Sequence, residues 1–177
     1  MKKIIITMLF ASALLARLQI PDQIHADFSQ IVLNTENNQT LRYTGSVFIR
    51  FPNEAKWIYK QPIEKTVCLM QNRAWVIEPE LEQATLFQLS RATFVLKILK
   101  EANQIKKHKY KALHEGVEYI ITTDSKERIK RIEYTDDLGN GVVLTFKNIK
   151  SNPLNPTSLK CIIPKDYDII DGRALEH

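Results

Sequence analysis

At 177 residues, 44% of them hydrophobic and 25% charged, the chain has the length and composition of a single domain with a real core. Five glycines and seven prolines exclude a collagen-like or low-complexity chain. A formal charge of +5 can steer association with acidic partners, but basicity without stacking aromatics beside it argues against a nucleic-acid binder.

Met1-Lys2-Lys3 precedes an apolar run over 4–16, with small residues at Ala11, Ser12, Ala13 and Ala16. A basic start and an apolar stretch too short to span a bilayer predict a secretory signal over 1–16. The protein is then expected to work outside the cytoplasm. An amphipathic helix that stays attached is the competing reading. No Leu-x-Gly-Cys follows the run, so acylation of the chain itself is not expected there. One domain is expected over 17–174, and Leu175-Glu176-His177 resemble a remnant of an expression tag.

Residues 14–19 have helical composition and stop before Pro21. Residues 25–34 read as a strand with Phe28, Gln30 and Val32 on one face, and Asn37-Asn38 turn the chain into a second strand over 41–51. Alternation places Val47, Ile49 and Phe51 together there, opposite Ser46, Phe48 and Arg50. Trp57 and Tyr59 share a face of the third strand, which Gln61-Pro62 ends. Val67 and Leu69 alternate with Cys68 in the next, Asn72 turns the chain, and 74–77 form another strand that Pro79 closes.

A helix is expected over 92–104, capped by Ser90 or Thr93. Its polar stripe holds Lys97, Lys100, Glu101 and Gln104; its apolar face holds Phe94, Val95, Ile98, Leu99, Ala102 and Ile105. Strand patterns return over 107–113, 117–123, 128–135 and 142–149, with a last strand over 159–163 before Pro164. The lysines around His108 read as a solvated turn and strand edge. The fold class is α+β, an antiparallel sheet able to curl partly into a barrel.

The catalytic inventory is thin. His25, His108 and His114 are scattered without metal-ligand spacing, no nucleophile elbow or phosphate loop occurs, and Asp136-Asp137 read as a solvated turn. Cys68 and Cys161 are either a disulfide in an oxidising compartment or two small buried hydrophobes.

The stretch from Gly45 to Ala84 also resembles the LolA family, periplasmic carriers of outer-membrane lipoproteins. The resemblance rests on Gly45, Pro52, Trp57, Gln61, Pro62, Trp75, Pro79 and Glu82-Gln83-Ala84, with support from Ala26, Phe28 and Gln30 and from 162–171. It implies a half-open antiparallel barrel with a helical lid over an apolar cavity. The cavity wall is then expected to hold Val47, Ile49, Phe51, Trp57, Tyr59, Val67, Leu69 and Trp75. The lid would present Phe94, Val95, Ile98 and Leu99. It also implies a periplasmic, monomeric, non-enzymatic carrier without metal or cofactor. The cargo would be acylated lipoproteins, taken from an inner-membrane lipoprotein-releasing transporter and handed to an outer-membrane receptor. A periplasmic sensor or structural module that binds lipid or protein without transporting it is the alternative.

Three positions depart from the family pattern. Phe51 stands where the family has a lid-holding arginine, and Arg50 stands one place earlier, which on a strand points it to the other face. Ala55 replaces an aromatic, and the turn after the third strand lacks Asp-Gly.

Overall fold

The computed structural model describes residues 17–88 and 94–172, with side chains omitted for 94–97. The leader expected over 1–16, the tag remnant and the Phe94 and Val95 side chains lie outside the described residues. The first hairpin pairs β1 (Gln23–Leu33) with β2 (Thr40–Arg50) over eleven residue pairs. Asn34 shapes its turn, its side-chain oxygen accepting hydrogen bonds from the backbone N–H groups of Glu36 and Asn37. A meander follows through β3 (Glu54–Gln61), β4 (Lys65–Met70), β5 (Arg73–Glu78) and β6 (Gln83–Gln88).

Helix α1 (Phe94–Glu101) leads into β7 (Asn103–Lys106), β8 (Lys109–His114), β9 (Val117–Thr123), β10 (Ile129–Thr135) and β11 (Gly141–Lys150). The last strand is β12 (Asp168–Asp171). All twelve form one sheet in the order β12-β6-β5-β4-β3-β2-β1-β11-β10-β9-β8-β7. Pairing of β1 with β11 welds the two meanders together, while β12 adds in parallel to β6. The sheet does not close: β12 and β7 remain as its edges.

Curvature follows from contacts that a flat sheet would not allow. Trp57 on β3 and Phe146 on β11 are three strand spacings apart, about 14 Å at ~4.8 Å each. Their ring centroids are nonetheless 6.2 Å apart. The inner face carries one continuous buried cluster that includes Ile24, Ala26 and Phe28 of β1, Val47 and Ile49 of β2, and Ile132 of β10. The outer face of the first meander is strapped by the segment after β11. Leu154 N–H donates to the Gln23 side chain (2.6 Å), Lys56 Nζ donates to the Lys160 carbonyl (2.7 Å), and Cys161 is bonded to Cys68.

Two sequence-based expectations are corrected, and one strand is added. Gln83–Gln88, left unassigned from sequence, is a strand, because its backbone completes the β5 ladder. The helix ends at Glu101, and Gln104 and Ile105 belong to β7, where pairing with β8 overrides helical periodicity. Residues 159–163 form no strand but run as the strap held by the disulfide; the closing strand is Asp168–Asp171. The described residues are mostly β, with one eight-residue α-helix and a 3-10 turn over Pro79–Leu81, and they form a single open, curved sheet that does not close into a barrel.

Candidate functional site

The inner face is filled at one end and hollow at the other. At the filled end Phe28 meets Tyr59 edge-on (5.0 Å, 79°), Tyr59 meets Tyr43 (5.8 Å), and Tyr119 lies against Tyr134 (4.9 Å). Tyr59 OH donates to Gln30 Oε1 at 3.1 Å, satisfying both groups inside an apolar setting. Burial, reinforced by Tyr134 and Tyr43, pushes the Tyr59 hydroxyl up to about 12.

At the other end a hollow of about 440 Å³ remains. Ile24 and Ala26 of β1, Val47 and Ile49 of β2, and Trp57 of β3 form one wall; Ile132 of β10 with Phe146 and Ile149 of β11 form the other. Leu99 of α1 and Ile20 border it as well. The rim is polar, with Gln19, Lys126, Glu127, Arg128 and Ser151. Its volume falls within the roughly 300–1,000 Å³ of ligand pockets.

Local pairing explains why the wall is apolar. Ile24 faces Ile49, Ala26 faces Val47, and Val47 faces Trp57, so paired positions keep one face across three strands. On β11 alternation alone would separate Phe146 from Ile149. A bulge between the His25 and Asp27 pairings, with Asn148 at φ 51°, brings both to the hollow.

Three of the eight expected wall residues, Val47, Ile49 and Trp57, line the hollow. Phe51, Tyr59, Val67 and Leu69 pack against the buried cluster instead of bordering the space. Trp75 is corrected: it pairs directly with Cys68, on the strapped outer face, whereas Trp57 pairs with Val67 on the inner one. Ile98 and Leu99 of the helix are buried, and Leu99 reaches the hollow. Ile24, Ala26, Ile132, Phe146 and Ile149 were not among the wall residues expected from sequence. Period-two extension of the Phe28 face would have found the first two; the bulge hid Ile149. Arg50 pairs with Glu54 (2.9 Å) on the face opposite Ile49, as the shifted register requires.

The rim holds one polar cluster. Glu127, at φ 56°, accepts hydrogen bonds from Tyr110 OH and Thr123 Oγ1, both 3.0 Å, and lies 2.8 Å from His108 Nδ1. Desolvation raises its carboxyl, but these hydrogen bonds and the His108 charge outweigh it and hold the group below the usual carboxylate range. Among the described residues no three His, Cys, Asp or Glu side chains gather as a metal site, and no helix is long and apolar enough to cross a membrane.

The arrangement offers apolar enclosure and a polar rim. A family model described as outer membrane lipoprotein carrier protein LolA matches residues 21–115. An outer-membrane lipoprotein carrier protein of Helicobacter hepaticus is 32% identical over 149 residues, covering 84% of this chain and 83% of that one. One from Campylobacter jejuni is 33% identical over 146 residues, covering 82% and 84%. In fold, the chain is similar to the crystal structure of an uncharacterized conserved protein from Thermus thermophilus. The TM-score is 0.53 at 14% identity, over 86% of this chain and 91% of that one. With the matched model spanning more than half of its length and relatives matching over most of it, this chain belongs to the LolA family.

Proposed function

We propose that the protein is a non-enzymatic periplasmic carrier that shelters lipoprotein acyl chains in the hollow beneath Leu99. The unfilled apolar space between Ile24, Val47, Trp57 and Phe146 carries this reading. Each methylene moved from water into such a space contributes ~0.8 kcal/mol. Full burial of several long chains would be nearly irreversible, so a small hollow covered by one short helix suits a ligand that must leave again. In this reading α1 is the lid, and loosening its Ile98–Leu99 contacts widens the space. The monomer takes cargo from an inner-membrane transporter and yields it to an outer-membrane receptor. The Cys68–Cys161 disulfide suits an oxidising compartment.

Ala26→Phe tests the assignment by filling the hollow from its floor. The variant should fold, because space exists for the ring, yet a tagged lipoprotein should no longer co-purify with it from periplasmic extracts. Depleting the wild-type protein should strand lipoproteins at the inner membrane. A variant that folds and still retains cargo contradicts the hollow as the binding site. Normal lipoprotein sorting after depletion favours the non-transporting alternative.

A further inference from the structure

β10 and β11 pair only from Arg131↔Thr145 onward to Thr135↔Gly141. Beyond Arg131 they part: Phe146–Lys150 continues beside β1 alone, and Ile129 turns toward β9 with a register shift. The parting strands leave a slot beside the hollow. A second depression occupies it and shares Arg128, Phe146 and Ile149 with the hollow, so apolar interior and polar slot are contiguous.

Charge in this slot is unbalanced. Arg128, Lys130, Lys147 and Lys150 line it against two carboxylates, Asp27 and Asp124. Both acids are already engaged: Asp27 accepts from Asn148 (2.7 Å) and Ser46 (3.3 Å), and Asp124 holds the Arg128 guanidinium (2.7 Å). Lys130, Lys147 and Lys150 are exposed, and no carboxylate among the described residues forms an ion pair with them.

We propose that this slot is a headgroup site for an anionic, phosphate-bearing amphiphile whose acyl chain occupies the hollow, so the protein also binds anionic phospholipid. Lys130, Lys147 and Lys150 meet the phosphate, while Phe146 and Ile149 flank the point where head joins chain. The inference rests on the hollow accepting acyl chains and adds a selectivity that an uncharged acyl group would not exploit.

Delipidated protein is titrated with palmitoyl lysophosphatidylglycerol, palmitoyl lysophosphatidylcholine and glycerol phosphate, followed by calorimetry. The anionic lipid is expected to bind about tenfold more tightly than the zwitterionic one at low salt, since three exposed charge pairs each contribute modestly. Added salt narrows the gap. Glycerol phosphate without a chain does not compete at lipid-saturating concentrations. The triple variant Lys130→Gln/Lys147→Gln/Lys150→Gln lowers the affinity for the anionic lipid to about that for the zwitterionic one, which removes the preference. Equal affinities in the wild type, or a preference surviving in the triple variant, overturn the headgroup site while leaving the acyl site standing. Failure of both lipids to bind overturns the acyl-chain reading, and the headgroup site falls with it. Tight binding of glycerol phosphate alone replaces the lipid with a soluble phosphate as ligand.

Discussion

The Phe28 ring lies directly against the backbone of Gly45, with which it pairs across β1 and β2. A Cβ at position 45 would come within 2.9 Å of Phe28 Cε1 and 1.9 Å of the Ile58 carbonyl oxygen. The second obstacle is backbone, and it sits where the β2–β3 register shifts between Thr44 and Gly45. Gly45→Ala should therefore destabilise the fold by about 1–3 kcal/mol or more, through overpacking. Urea unfolding checks it, and a variant within 0.5 kcal/mol of wild type, roughly the range of neutral surface changes, contradicts the tight approach.

Trp57 and Trp75 report on different faces of one sheet. Trp57 borders the hollow, while Trp75 pairs with the disulfide-bonded Cys68 outside it. Adding an acyl ligand should shift the fluorescence of a Trp75→Phe protein and leave that of a Trp57→Phe protein nearly constant. The reverse outcome would place the ligand on the strapped face.

The disulfide spans a sequence separation of 93 and holds the strap that continues into β12. Replacing both cysteines by alanine should cost about 2–5 kcal/mol, through the freedom restored to the unfolded chain. Hydrogen exchange should locate the loss, with faster exchange in β12 and over 152–167 and little change in β1 and β11.

Tyr59 predicts an alkaline limb of stability. Its folded-state pKa of about 12 lies above the ordinary value of 10.0, so the folded protein holds the proton more tightly than the unfolded chain. Its contribution is complete below pH ~10 and is lost as pH rises from there toward 12, at up to about 1.4 kcal/mol per pH unit. Denaturant midpoints measured across this window should fall for wild type and fall less steeply for Tyr59→Phe. An ordinary tyrosinate titration at Tyr59, read by absorbance, would contradict the burial assigned to it.

Period-two alternation was enough to place Val47, Ile49 and Trp57 on one face, because a strand's side chains alternate regardless of what packs above them. It was enough, too, to anticipate that Arg50 turns away from that face. The residues around Gly45 to Ala84 carried the family resemblance, and length and composition pointed to one domain. Alternation within a strand says nothing about how one strand aligns with the next. Trp75 was therefore misplaced, since only its pairing with Cys68 shows which side of the sheet it occupies. The bulge at Asn148 likewise depends on β1 lying alongside, and without it Ile149 would face away from Phe146. Whether the inner face is filled or hollow is decided last of all. The same apolar residues pack solidly around Tyr59 and leave space beneath Trp57, because sheet curvature and side-chain size jointly set how much volume each end must fill.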